Sequence, residues 1–390
     1  MKILLVNKFY YPRGGDCIYT INLEHLLKSK GHEVAVFSMQ HPESIESEWS
    51  RYFPREVNFL HKKNLAKIVA SPLGRRDVRE KISALLDHFK ADVVHLNNIH
   101  SQLSPVVAKI AHEKGIKVVW TLHDYKLLCP RYDCMRNGKQ ICEVCFHNKM
   151  NVIKYRCAKN SFLGSLLAYF EAVKWSKEKL ENYTDCFISP SKFLTQKMAQ
   201  GGFQKEKIIL MNNFINEANF CEKVYEKEDY YCYVGRLSPE KGIETLINAA
   251  SVLPYRLIVI GGGAPLKSYQ ERFPGSNIEF IGHQNWEKIK EIMGKARFTV
   301  IPSEWYENNP LSVIESLCLG TPVLGANIGG IPELIVPENG LLFESGNESD
   351  LKKKIDQMYL NSYNYQLIAN DSILTYSSEN YYKKLIKIYA

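Results

Sequence analysis

No apolar run in this chain approaches the roughly 18 residues that a membrane-spanning helix needs, although 45% of its 390 residues are hydrophobic. A helical transmembrane anchor within the sequence is therefore excluded. No leader with a basic start, an apolar middle and a small-residue cleavage site is present either, since Met1-Lys2-Ile3-Leu4-Leu5-Val6 reads as a strand. A cytoplasmic protein is expected. The dinucleotide fingerprint G-x-G-x-x-G is incomplete: Gly261-Gly262-Gly263 follows an apolar strand, but Pro265 and Leu266 stand where the last glycine belongs. That excludes a NAD site and leaves a tight strand-to-helix turn. No nucleic-acid module accompanies the net charge of +8, so nucleic acid is not expected as a partner.

What is present is alternation. Apolar runs such as 2–6, 34–37, 93–96, 116–121, 186–189 and 207–211 each precede an amphipathic stretch, and the pattern restarts at 230–234, 256–260, 278–281, 297–301 and 322–324. Repeated strand–helix units give parallel sheets with helices on both faces. At 390 residues the chain is too long for one core and suits two. The expected fold is α/β: two doubly wound, Rossmann-like domains facing a cleft. The first takes 1–190 plus a last helix at about 375–390, and carries a Cys-rich insertion at 129–157. The second takes 191–374.

Ligands of such sheets lie beyond the carboxyl ends of the strands. The richest such end is Ser303-Glu-Trp-Tyr-Glu-Asn-Asn-Pro-Leu-Ser312. Asn309 is expected as an N-cap and Pro310 as the first helical residue, leaving the amides of Leu311 and Ser312 free for an anion. Glu307 and Glu315 beside an anion site suit a ligand that also donates hydroxyls. A nucleotide sugar has both parts. After the 230–234 strand, Arg236 and Lys241 of Gly235-Arg-Leu-Ser-Pro-Glu-Lys-Gly242 flank a turn and can neutralise a leaving diphosphate. No Asp-x-Asp pair, the usual metal holder of metal-dependent sugar transfer, occurs anywhere. Gly329-Gly330 opens a further turn that either adds amides to the site or is a plain turn.

These motifs, with Gly-Gly-Ile-Pro-Glu at 329–333 and Asn339-Gly-Leu-Leu-Phe343, resemble a family 4 retaining glycosyltransferase of GT-B fold, of the bacterial surface-polysaccharide type. The resemblance implies metal-independent transfer of a hexose-type sugar from a nucleoside-diphosphate sugar to a glycan or lipid-linked acceptor, with the second domain binding the donor and the first the acceptor. It implies that Arg236 and Lys241 hold the diphosphate, that Glu307 contacts the donor sugar and Glu315 the ribose, and that Gly14-Gly15 closes over the phosphates or the acceptor. Asn308, Asn309, Pro310, Leu311, Ser312, Gly329 and Gly330 complete the expected donor side. His123, at a strand end, is expected near the reacting sugar carbon, and Asn97, Asn98 and His100 on the acceptor side. The last helix is expected to pack on the first domain. The alternative reading is a nucleotide-sugar 2-epimerase, or a non-catalytic nucleotide-sugar binder, of the same fold.

Half of the ten cysteines fall at 129–157. Cys142-x-x-Cys145 has knuckle spacing, and with Cys129 and Cys157 it makes a four-sulfur structural zinc site one expectation. Free thiols are the other, and Cys134 is the spare of the zinc reading. No cofactor is expected in catalysis. Charge is uneven, with 29 Lys and Arg against 19 Asp and Glu in residues 1–185 and 21 against 23 in the remainder. The densest stretch runs from Lys62 to Lys81, with Lys63, Lys67, Arg75, Arg76 and Arg79. Peripheral contact with an anionic membrane, at its inner face, is one reading of that stretch and a solvated face the other.

Overall fold

The computed structural model describes residues 1–57, 65–220, 225–273 and 275–390, apart from the side chains of 65–67. The chain forms two compact units, 1–212 with 381–390, and 213–380. In the first, strands β1 (Lys2–Val6), β2 (Glu33–Phe37), β3 (Val93–Leu96), β4 (Lys117–Thr121), β7 (Cys186–Ser189) and β8 (Ile208–Leu210) make one parallel sheet in the order β2-β1-β3-β4-β7-β8. A small hairpin, β5 (Met135–Arg136) and β6 (Gln140–Ile141), lies in the Cys-rich insertion. These strands are nearly all apolar because helices cover both faces, so no position needs a polar side chain for water.

The second unit repeats the plan. Strands β9 (Tyr230–Val234), β10 (Arg256–Ile260), β11 (Ile278–Gly282), β12 (Thr299–Ile301), β13 (Val323–Ala326) and β14 (Gly340–Phe343) form a parallel sheet, β11-β10-β9-β12-β13-β14. Alternate residues feed its two faces. Cys232, Ile258, Ile260 and Val323 belong to one core, and Tyr231, Tyr233, Leu257, Val259 and Leu324 to the other. The strand order reverses at β9/β12 here and at β1/β3 in the first unit. At such switch points neighbouring loops part and open a crevice at the carboxyl edge.

Several expectations needed correction. The boundary falls after Asn212, not at 190, because helix Lys192–Gln200 and β8 complete the first sheet beside β7. The stretch from 162 to 182 forms two helices, Phe162–Lys174 and Lys177–Asn182. It breaks where the Trp175 indole donates to the Pro72 carbonyl. Strand β14 and helix Tyr365–Tyr376 were not read from the sequence. Gly340 sits in β14 because a Cβ there would lie 2.0 Å from the Val323 oxygen. Helix Ser378–Tyr389 ends the chain, and from Tyr381 on it belongs to the first unit.

Candidate functional site

In the second unit the loops after β9, β10, β12 and β13 meet by backbone contacts that only glycine allows. Gly242 has φ +67°, and a Cβ there would fall 1.8 Å from the Pro302 oxygen. Gly261 has φ +139° with the Gly235 oxygen at the same 1.8 Å, and Gly329 has φ +61° with the Glu307 oxygen at 2.4 Å. The amide of Gly330 donates to the Glu307 carbonyl at 2.7 Å. Two expected site segments, Glu307 and Gly329-Gly330, are thereby brought together.

This packing draws Lys241, at the end of the first loop, onto the third. Its ammonium lies 2.6 Å from Glu307 Oε1. The same oxygen accepts from Ser303 Oγ and from Trp305 Nε1, each at 2.8 Å, and the ammonium also stands over the Trp305 ring, 5.1 Å from its centroid. Burial pushes the Glu307 carboxyl up, but the Lys241 charge and the three hydrogen bonds outweigh it and hold the group below its ordinary value. Ser303 and Trp305 were missed by sequence reasoning. Their signal was only proximity to Glu307, and short polar spacings within a loop do not reveal where side chains point.

Arg236 is mostly exposed, with Glu240 at 3.4 Å as its ion-pair partner, so its guanidinium can swing onto an anion. Helix Leu311–Cys318 begins one residue later than expected: Pro310, with φ −66° and ψ 122°, is the N-cap. Asn309 is not a cap. Its Oδ1 accepts from the Asn213 amide, and its carbonyl accepts from Asn213 Nδ2, both at 2.8 Å, pinning the loop. The amides of Leu311 and Ser312 still open the helix, with no carbonyl four residues back to take them. The Asn308 Oδ1 beside them is buried and unpartnered. The side chain of Glu315, one turn along that helix, has no hydrogen bond or ion pair among the described residues, and burial raises its pKa to about 7.

The first unit gathers Asn97, Asn98, His100 and His123 beyond the carboxyl ends of β3 and β4. Asn97, Asn98, His100, His123 and Asp124 line one small cavity. Asn97 Oδ1 lies 2.9 Å from His123 Nε2, and the Tyr19 ring meets the imidazole edge-on at 4.9 Å. Burial lowers the His123 pKa to about 4, so the ring is neutral near pH 7. Nε2–H then donates to Asn97 and Nδ1 is left an acceptor. Asn97 Nδ2 is buried without a partner. His100 is buried, its ring stacked on Trp120 at 5.5 Å. Gly14 is the N-cap of helix Gly15–Ser29 with extended backbone, and Asp16 lies in its first turn without capping it. A second cavity, lined by His100, Lys126, Lys149, Glu171 and Trp175, was not foreseen. There Lys126 pairs with buried Glu171 at 2.8 Å, and Glu171 Oε1 has no partner.

Among the described residues no three His, Cys, Asp or Glu side chains are placed to hold a metal ion, so the expected zinc set does not fit. The thiol of Cys134 instead donates to Cys129, which lowers the Cys129 pKa to about 7. Cys142 Sγ accepts from Arg136 at 3.7 Å, and Cys145 and Cys157 pack with Val152 and Ala168 in a small apolar cluster. The expected basic stretch is partly outside the described residues, at Lys62, Lys63 and the Lys67 side chain. Its described cations are engaged: Arg75 with Asp77, Arg76 with Glu80, Arg79 with the Gly74 carbonyl and Lys81 with the Phe53 carbonyl.

Residues 13–219 match the Glycosyltransferase Family 4 sequence family and residues 215–372 match Glycosyl transferases group 1. An uncharacterised glycosyltransferase of Methanocaldococcus jannaschii is 25% identical over all of this chain and 98% of its own length. N-acetyl-alpha-D-glucosaminyl L-malate synthase of Bacillus anthracis is 20% identical, with 92% of this chain and 88% of that protein covered. Among solved structures, sucrose-phosphate synthase of Thermosynechococcus elongatus superposes with a TM-score of 0.72 at 19% identity, covering 100% of this chain and 98% of that one. Anabaena HepE in complex with UDP-glucose superposes at 0.68 with 17% identity, covering 100% and 99%. The two sheets have the Rossmann-like form of the GT-B glycosyltransferases, and the chain belongs to glycosyltransferase family 4.

Proposed function

We propose that this glycosyltransferase moves a hexose-type sugar from a nucleoside-diphosphate sugar to a glycan or lipid-linked acceptor, in surface-polysaccharide synthesis, retaining the anomeric configuration and needing no metal. The observation that carries the reading is the Lys241–Glu307 pair at the β9/β12 switch point, with Glu307 in the loop that leads to the amides of Leu311 and Ser312. An ammonium has three donors, so Lys241 can keep Glu307 and still meet a diphosphate laid on those amides. Arg236 is the second cation. Charge developing on the leaving diphosphate is then met by groups already oriented, which is where such sites gain most of their rate. The UDP-glucose complex of HepE, a protein of like fold, supports a donor of this chemical kind.

The carboxylates take the hydroxyls. Glu307 spends Oε1 on three donors, which spreads its charge and makes it a poor nucleophile but leaves Oε2 to orient the sugar. Glu315, unpartnered, is assigned the ribose. With the Glu307 charge spread over three donors, front-face substitution is the mechanism we assign: the acceptor hydroxyl passes its proton to a departing phosphate oxygen. Neutral His123 offers Nδ1 to a hydroxyl of the transferred sugar, and Asn97, Asn98 and His100 lie on the acceptor side.

The test begins with a thermal-shift screen of nucleoside-diphosphate sugars in the presence of a metal chelator, because a bound donor raises the unfolding temperature according to its affinity. At least one donor is expected to stabilise the chain, and no shift with any donor sinks the reading. Radiolabelled donor then follows, alone and with lipid-linked or soluble glycans. Label should move only when an acceptor is present. Altered free sugar nucleotide formed without acceptor would mark a 2-epimerase instead.

A further inference from the structure

The second cavity of the first unit holds charges that the proposed reaction does not use. It measures about 70 Å³, and His100, Lys126, Phe146, Lys149, Glu171 and Trp175 are among its walls. At roughly 10–15 Å³ for each water-sized group, that is room for about five. Glu171 is 6% exposed. Its Oε2 takes the Lys126 ammonium at 2.8 Å, but Oε1 is buried with no hydrogen bond among the described residues. A buried oxygen left without a donor is costly, and native chains keep one where something else completes it. Lys126 cannot answer it alone, since two of its three donors go to Oε2 and to the Pro130 carbonyl, the latter at 2.7 Å.

Lys149 is the complementary case. Its ammonium donates to the Leu128 carbonyl at 2.5 Å, with the Leu127 carbonyl at 3.4 Å. Carbonyls hold an ammonium without cancelling its charge. The ionisable groups near enough to act on it are the thiols of Cys129, Cys134 and Cys145 and the Lys126 ammonium, none of them a carboxylate. Lys177, on the same wall, donates to the Gly202 carbonyl and has exposed Glu178 at 3.8 Å. Against Lys126, Lys149 and Lys177 stand only Glu171 and Glu178, so one positive charge is left over. An unpaired cation and an orphaned carboxylate oxygen in one cavity select for two things at once, a negative group and a hydroxyl beside it. A bare anion would meet Glu171 as a like charge, and a neutral polyol would leave Lys149 unanswered. A carboxylate with the hydroxyl-bearing carbon next to it has about the size of the space.

We propose that this cavity is a ligand site of the first unit, taking an anionic group with a hydroxyl beside it, as a sugar acid or a sugar phosphate has. His100 and Leu127 line the first cavity too, so the ligand neighbours the residues assigned to the acceptor, but the proposal does not rest on the transferase reading. The test is titration calorimetry of the intact chain with glycerate and with glycerol 3-phosphate. Nucleoside diphosphate is kept present, so that a phosphate probe does not report on the donor's amides. Glycerol, which lacks the anion, and propionate, which lacks the hydroxyls, are the controls. At least one of the two hydroxylated anions is expected to bind, with glycerol and propionate about tenfold or more weaker. The tighter of the two tells a carboxylate ligand from a phosphate one. Lys149→Met should weaken binding about tenfold or more by removing the charge. Ala172→Leu, at another wall of the cavity, keeps every polar group and should weaken it as much by filling the space. An unchanged unfolding temperature shows that a variant is folded. Binding of neither anion, equal binding of glycerol or propionate, or undiminished binding by either folded variant overturns the proposal.

Discussion

At the scale of single residues the pair Lys241–Glu307 decides most. Both side chains are largely withdrawn from water, at 21% and 10% exposure, so removing one partner strands the other. Lys241→Met should cost about 3 kcal/mol of stability, read by chemical denaturation above pH 6, because it leaves a buried carboxylate unpaired. Glu307→Gln keeps the shape and should lower turnover by about a hundredfold or more while donor binding changes less, since an orienting charge is lost and the phosphate groups are not. Near-normal turnover would remove Glu307 from the reaction. Glu315 makes the opposite case. Its pKa is raised from 4.5 to about 7 by burial alone, so the folded state holds a proton that the unfolded state has lost. Stability therefore falls as pH rises from about 4.5 to about 7 and stays reduced above that. Glu315→Gln should stabilise the chain above pH 7 by about 1 to 3 kcal/mol, the smaller figure reflecting its partial contact with water, and should flatten that decline. A variant no more stable than the parent at about pH 8 would contradict it. These residues stood out in the sequence as candidates, because anion-binding amides, cations and hydroxyl acceptors have distinct chemistries at strand ends. Their partnerships were not. That Asn309 would hold Asn213 rather than cap a helix, or that Cys134 would bond Cys129 and leave no metal set, depends on side-chain directions that spacing does not carry.

At the scale of elements, parallel strands buried on both faces are the most readable feature of the chain, and β3, β7, β9 and β10 stand at the limits their apolar runs suggested. Helix Tyr365–Tyr376 was invisible because it mixes Asn370, Asp371 and Ser372 with a few buried apolar residues, so no 3.6-residue stripe forms. The loops are where elements become a site, and the glycines there separate into those that permit a contact and those that merely punctuate. Gly242→Ala would place a methyl 1.8 Å from the Pro302 oxygen on a left-handed backbone. It should cost about 3 kcal/mol or more and release Lys241 from Glu307. Gly262→Ala, one strand away, meets nothing within 4 Å and should stay within about 0.5 kcal/mol of the parent. Denaturation of the two variants side by side checks the claim, and equal losses would show that loop closure is not set by these contacts.

At the scale of the whole molecule, two Rossmann-like units share one chain, and the last helix is assigned by its contacts to the unit it does not follow in sequence. The sequence resemblance implied that return, and the structure gives its physical content. Tyr389 OH meets His95 Nδ1 at 2.5 Å, while His95 Nε2 lies 2.7 Å from Thr121 Oγ1, beneath the strands that carry Asn97 and His123. Tyr381 bonds Tyr19, the ring that edges His123. With Leu385, Tyr381 and Tyr389 buried, this helix seals the first unit's core and leaves a fully buried, neutral His95 whose pKa burial lowers to about 3. Removing residues 378–390 would therefore expose apolar surface and leave Nδ1 of that imidazole without its partner, a loss of several kcal/mol confined to the first unit. Chains of two units often unfold in separate steps. The truncated chain should accordingly show a lowered transition that nucleotide does not shift, followed by one near its original temperature that nucleotide still raises, because Arg236, Lys241, Leu311, Ser312 and Glu315, the groups assigned to the diphosphate and the ribose, lie in residues 213–380. Calorimetry with and without a nucleoside diphosphate reads both at once. If nucleotide stabilisation vanished together with the last helix, the donor site could not be assigned to the second unit alone.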